Sequence, residues 1–328
     1  MEQRNENNAE RETVRPSPSG GNNRRGLFAQ PRKAVSGLVY SGAIIGMLLI
    51  SLAFSVTVAI LSAVLERPVD DLAATDAYKY MSYLLYQIVY VALILVFIKI
   101  YGEKPRQFGY RLPHWKYWLI ALPLAFGLLF SLNWVNNRFV ELLSLIGYEL
   151  PESSLPSVSG GGIVGVLVVV AVLPAFCEET LFRGIILDGI KDIGTVAACL
   201  LGGLLFSIFH QNPAQTIYQF ICGCAFTLIA IRADSVLPAV LMHFLNNAII
   251  VFNERFCFLN GLSGGAQIVI YVISGVCLVA SLVYLIFLDK KTNRKKEGEI
   301  RPFFLPALPW VILSAVVWLV ALVNGIAG

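Results

Sequence analysis

Glu178, Glu179, Arg183, His210 and His243 are ionisable side chains set inside long apolar segments. The chain has only three histidines, and two of them belong to this set. An ionised group at membrane depth costs roughly 2.5–3.5 kcal/mol even on the lenient insertion scale, so such residues are functional candidates by default. Two carboxylates, two imidazoles and a guanidinium suit the activation of a water molecule. A carboxylate shielded from bulk solvent can serve as a general base near neutral pH. Glu178 is the expected base, with His210 orienting or deprotonating the water. His243 and Asn247 are i, i+4 and reach one cavity, where they can donate to a developing oxyanion. Glu179 and Arg183 share the same spacing and form a supporting pair that balances charge and holds the helix. Whether Glu178 alone or both glutamates handle protons stays open on this pattern.

The same residues admit a metal. Glu178, His210 and His243 make a His2Glu set, a known three-ligand arrangement for catalytic zinc with a fourth position for water. The second glutamate would then be the base. No local H-E-x-x-H spacing is present, so zinc rests on convergence in space alone, and the zinc and metal-free versions both stand at this stage.

These residues need elements to carry them. The 328-residue chain is 57% hydrophobic and 14% charged, where a soluble domain is nearer 25% charged. The expected fold is all-α, a polytopic membrane bundle of eight or nine transmembrane helices. Candidate spans run over 36–64, 79–100, 117–134, 162–189, 195–211, 215–231, 235–252, 267–288 and 308–327. Each is close to the roughly 20 apolar residues a span needs, and backbone in hydrocarbon must be bonded internally, which favours helices. Residues 1–34 are polar and read as a disordered cytoplasmic tail. Residues 35–160 then hold N-terminal membrane helices, 161–252 the catalytic core and 253–328 C-terminal membrane helices. A net charge of +4 gives no case for a nucleic-acid partner. The six cysteines form no disulfide framework or C-x-x-C pair. The expected partners are the lipid bilayer and a peptide or lipidated-peptide substrate.

Loop charges alternate along the chain. Arg24, Arg25, Arg32 and Lys33 precede the first span; Glu66, Asp70, Asp71 and Asp76 follow it; Lys104, Arg106, Arg111 and Lys116 follow the second. A further basic run covers Lys290–Arg301. By the positive-inside rule the N-terminus is cytoplasmic. Asp188, Lys191 and Asp192 read as a solvated turn on that side. Counting from the turns at 1.5 Å per residue puts Glu178 at about 18 Å, His210 at about 22 Å and His243 at about 14 Å. Three neighbouring helices thus aim polar side chains at one layer.

Three motifs occupy successive apolar segments: E-E-x-x-x-R at Glu178–Arg183, F-x-x-x-H at Phe206–His210 and H-x-x-x-N at His243–Asn247. Together they resemble the CPBP family, the CAAX proteases and bacteriocin-processing proteins also called the Abi family. That family includes the type II CAAX prenyl endopeptidases. The resemblance covers about residues 160–250. It implies an intramembrane endopeptidase with a glutamate-activated water, acting on a membrane-associated substrate that is prenylated or bacteriocin-like. The family's catalytic Glu falls on Glu178, its second Glu on Glu179, its Arg on Arg183, its histidines on His210 and His243, and its Asn on Asn247. Family members are described both as metalloproteases and as metal-free glutamate enzymes. The short tail and compact loops point to a bacterial cell membrane. Two other functions fit the same residues: a non-catalytic membrane immunity or scaffold protein, and a proton-coupled transporter. A transporter sits less well with polar residues gathered at one height instead of lining a path across both leaflets.

Overall fold

Every one of the nine apolar runs forms a helix in the computed structural model, which describes residues 32–102, 104–150, 155–259, 261–289 and 297–327. They are α1 (Arg32–Leu65), α2 (Asp76–Tyr101), α3 (Lys116–Ser144), α4 (Gly162–Ile193), α5 (Thr195–Phe209), α6 (Thr216–Ala233), α7 (Leu237–Phe256), α8 (Gly264–Leu288) and α9 (Arg301–Ala327). Short helical turns join some of them, and no strand occurs among the described residues. The protein is an all-α polytopic membrane bundle, and the expected membrane parts pack into a single unit.

Seven helices are long and apolar enough to cross a bilayer. The two that are not, α5 and α7, carry His210 and His243. At 15 residues α5 extends about 22 Å, short of a hydrocarbon core about 30 Å thick. His243, Asn246, Asn247, Asn253, Glu254 and Arg255 make α7 too polar for a simple span. The expected eight or nine transmembrane helices are thus seven full-length candidates plus two shorter or wetter helices. The third helix also runs ten residues beyond the expected end at 134, to Ser144.

The predicted tail falls mostly on residues outside those described, as does most of the basic run after Asp289. Its last residues, Arg32 and Lys33, are instead the first turn of α1. Arg32 is bonded to Asp188, and Lys33 Nζ lies 2.6 Å from Asp192 Oδ2. The turn at Asp188–Asp192 is therefore not simply solvated: the Asp188 side chain is only 14% exposed and also holds Lys191. Arg111–Asp234 (2.6 Å) and Lys116–Asp289 (3.0 Å) join other elements at this same end. The ion pairs link the starts of α1 and α3 and the loop before α3 to the ends of α4, α6 and α8. Successive helices therefore run in alternating directions.

Close packing comes from small residues, as in other helix pairs within lipid. A Cβ on Gly203 would meet Phe220 O at 2.6 Å, so α5 and α6 could not pack as they do with any larger residue there. Buried apolar side chains form two main clusters. One joins α1, α2, α4, α5 and α9 with Ala230 of α6, and the other joins α3, α6, α7 and α8. The polar residues of α4, α5 and α7 lie along the seam between them.

Candidate active site

The seam is built around α4, which is not a regular helix. Two π-helical stretches, Leu167–Val172 and Thr180–Ile186, flank the α-helical turns Leu173–Glu179. Such wide turns in helices concentrate at functional sites. Pro174 sits between them and has no N–H, so the carbonyl of Val170, four residues earlier, loses its ordinary helical donor. Asn247 Nδ2 donates to that carbonyl at 2.8 Å.

The two adjacent glutamates point to different partners. Glu179 is fully buried, and its Oε1 accepts from Arg183 Nη1 at 3.0 Å and lies 2.8 Å from His243 Nδ1. Arg183, also buried, donates through Nη2 to the carbonyl of Gly223 at 3.0 Å. Its guanidinium is 4.5 Å from the Phe206 ring centroid and 5.3 Å from that of Phe226. Two aromatic faces, one from each apolar cluster, thus sandwich the cation, a favourable placement for a desolvated guanidinium.

Glu178 turns instead to α5. Its Oε2 lies 3.8 Å from His210 Nε2, and the two side chains are 12% and 21% exposed. That oxygen has no hydrogen-bond partner among the described residues. His210 Nδ1 is 2.7 Å from the carbonyl of Phe206. A carbonyl can only accept, so Nδ1 carries a proton and the neutral ring presents a lone pair at Nε2. Two acceptors therefore face each other across a gap too wide for a direct bond. The Phe206 ring packs edge-on under the imidazole at 4.6 Å between centroids, as the i, i+4 spacing leads one to expect.

Of the sequence-predicted residues, the structure brings Glu178 to His210, and Glu179 to both Arg183 and His243. It divides the anticipated zinc set, since His243 is held by Glu179 and not by Glu178. Among the described residues no three His, Cys, Asp or Glu side chains converge as a group that could hold a metal. The donor geometry of the described residues does not fit a three-ligand zinc site. Asn247, expected as an oxyanion donor, has its amide on the Val170 carbonyl and its Oδ1 on Asn246 Nδ2 at 3.1 Å.

Some contributors escaped the sequence pattern. Phe226 and Gly223 hold Arg183. Asn246, placed off the cavity face by helical geometry, links the Tyr218 hydroxyl to Asn247. Tyr110, from the loop before α3, is 2.6 Å from Thr180 Oγ1 and so touches the residue next to Glu179. The one signal available was Pro174, whose freed carbonyl calls for an outside donor.

Residues 160–249 match the family model described as type II CAAX prenyl endopeptidase Rce1-like. No curated protein and no solved structure matches the chain.

Proposed function

We propose that the protein is an intramembrane endopeptidase in which Glu178 and His210 activate the attacking water, a reading supported by the match of its central helices, residues 160–249, to the CAAX prenyl endopeptidase family model. The observation that carries this reading is the pair of acceptors 3.8 Å apart, with Nδ1 of the imidazole pinned by Phe206 O. A water seated against both donates one hydrogen to Glu178 Oε2 and the other to His210 Nε2. Its own lone pair is then free for the substrate. As its oxygen attacks the scissile carbonyl carbon, Glu178 takes the proton and the carbonyl oxygen becomes an oxyanion. Glu178 passes that proton to the leaving nitrogen, the oxyanion re-forms its C=O as the C–N bond breaks, and the second water proton moves through His210 Nε2 to the freed amine, so that a carboxylate and an ammonium group result.

His243 stands ready for the oxyanion. With Nδ1–H on Glu179, its Nε2 donates when the ring is protonated, and Glu179 then balances both His243 and Arg183. Preorganised donors of this kind act strongly where water is excluded. Asn247 and Asn246 act at one remove, by fixing the broken turn of α4 that carries Glu178. The substrate class carried by the family description is a prenylated C-terminal peptide, and a greasy anchor suits a site sunk among membrane helices. The end of the bundle rich in Arg32, Lys33, Arg111 and Lys116 faces the cytoplasm of a bacterial cell in this reading.

The test is purified full-length protein in lipid nanodiscs with a farnesylated peptide carrying three residues after the modified cysteine. Glu178→Ala is expected to abolish cleavage while the protein stays folded. Turnover equal to the unsubstituted protein would refute the assignment.

A further inference from the structure

The turn that carries His210 lies far from either membrane surface. Ser314, which bonds to it, is the middle residue of α9, Arg301–Ala327, about 20 Å from each end. Non-helical backbone at such depth is tolerated only where protein or enclosed water satisfies it. Here α9 does so. The fully buried Ser314 hydroxyl donates to the Ile208 carbonyl at 3.0 Å and accepts from Gln211 Nε2 at 3.2 Å. These two bonds bracket His210 on either side. One helical turn further, Trp318 Nε1 donates to Thr216 Oγ1 at 2.8 Å. The Thr216 carbonyl accepts from Ser207 Oγ at 2.7 Å, which closes the turn on itself.

Gln211 adopts φ +50°, a left-handed conformation uncommon for any residue but glycine. Its side chain reaches Ser314 from that conformation. The left-handed step ends α5 directly after His210 and turns the chain toward Pro213. The Phe206 carbonyl that orients the imidazole belongs to the same last turn of α5. A shift of this turn therefore moves Nε2 relative to Glu178. Misplacement of a reacting group by about 1 Å can cost about 100-fold in rate.

We infer that α9, which lies outside the family-matched core, is a positioning element for His210, acting through Ser314 and Trp318. The inference rests on the reading of His210 as one of the two water-activating groups. It assigns the last helix a part in the site, beyond its packing against α1.

With only three histidines in the chain, 15N-histidine labelling of the full-length protein in nanodiscs gives a readout independent of turnover. Ser314→Ala is expected to move the His210 ring resonances and to leave those of His114 and His243 in place. Ser314→Thr, which keeps the hydroxyl, restores them, and Trp318→Phe gives a smaller shift of the same sign. On the farnesylated peptide, Ser314→Ala lowers kcat by about 10- to 100-fold with KM within about twofold. Unmoved His210 resonances in both Ser314→Ala and Trp318→Phe overturn the inference. If Ser314→Ala does not fold, the Trp318→Phe spectrum decides alone. His210 resonances that move while Glu178→Gln still cleaves at the full rate leave the clamp standing and remove the catalytic reading instead.

Discussion

Glu178 and Glu179 are neighbours in the chain with identical chemistry, yet they occupy opposite surroundings. Glu179 is enclosed by a cation, an imidazole and two apolar clusters. Each glutamate keeps its Oε2 without a hydrogen-bond partner among the described residues, but that of Glu178 faces the His210 imidazole across a gap, whereas Glu179 is held through Oε1 by Arg183 and His243. A buried carboxylate held through one oxygen by a cation and an imidazole is fixed in place; one that faces an imidazole across a water-sized gap is placed, in the proposed reading, to take a proton from that water. Adjacent carboxylates acquire separate roles from environment alone.

Breaking the enclosed half should have the largest effect on the protein itself. Arg183→Ala leaves Glu179 buried with one cationic partner gone, and removing one member of a buried pair costs about 3–5 kcal/mol. Thermal unfolding in nanodiscs should show a large fall in Tm or no folded protein, and a Tm equal to wild type would contradict the role given to the pair. Breaking the open half should spare the fold. His210→Ala is expected to keep Tm within a few degrees while turnover of the farnesylated peptide drops about 10²- to 10⁴-fold, the usual range for a positioned proton-transfer group. Asn247→Leu sits between these cases. It leaves the Val170 carbonyl without its side-chain donor, at about 1–3 kcal/mol, so both Tm and kcat should fall, and a drop in either without the other would argue against an indirect role. The smallest effect belongs to the end of the bundle. Arg111→Ala removes a half-exposed pair with Asp234 that contributes less than about 1 kcal/mol, and cleavage should be unchanged.

The difference between the halves also explains what the sequence alone could and could not tell. Nine apolar runs were readable because hydrocarbon demands them, and counting 1.5 Å per residue was enough to bring Glu178, His210 and His243 to one layer. It was not enough to say which glutamate meets which histidine. That depends on the rotation of α4, which two π-helical stretches and Pro174 alter locally. The expected zinc set does not come together among the described residues, and regular helical geometry gives no hint that His243 turns to Glu179. The expected oxyanion role of Asn247 met a competing acceptor at Val170, created by Pro174. Ser314 and Trp318 were invisible because their partners lie about a hundred residues away and ordinary Ser and Trp in an apolar run carry no signal. The short length of α5 was legible, but its consequence, a turn submerged beside the middle of α9, needed the packed bundle.

The separation of roles is tested most directly by measuring turnover and thermal unfolding together for Glu178→Gln and Glu179→Gln. The amide keeps the shape of each side chain and removes its charge. Glu178→Gln should fold like the unsubstituted protein and cleave nothing, whereas Glu179→Gln should lose stability first and activity with it. A Glu178→Gln protein that cleaves the farnesylated peptide at the normal rate would contradict the account.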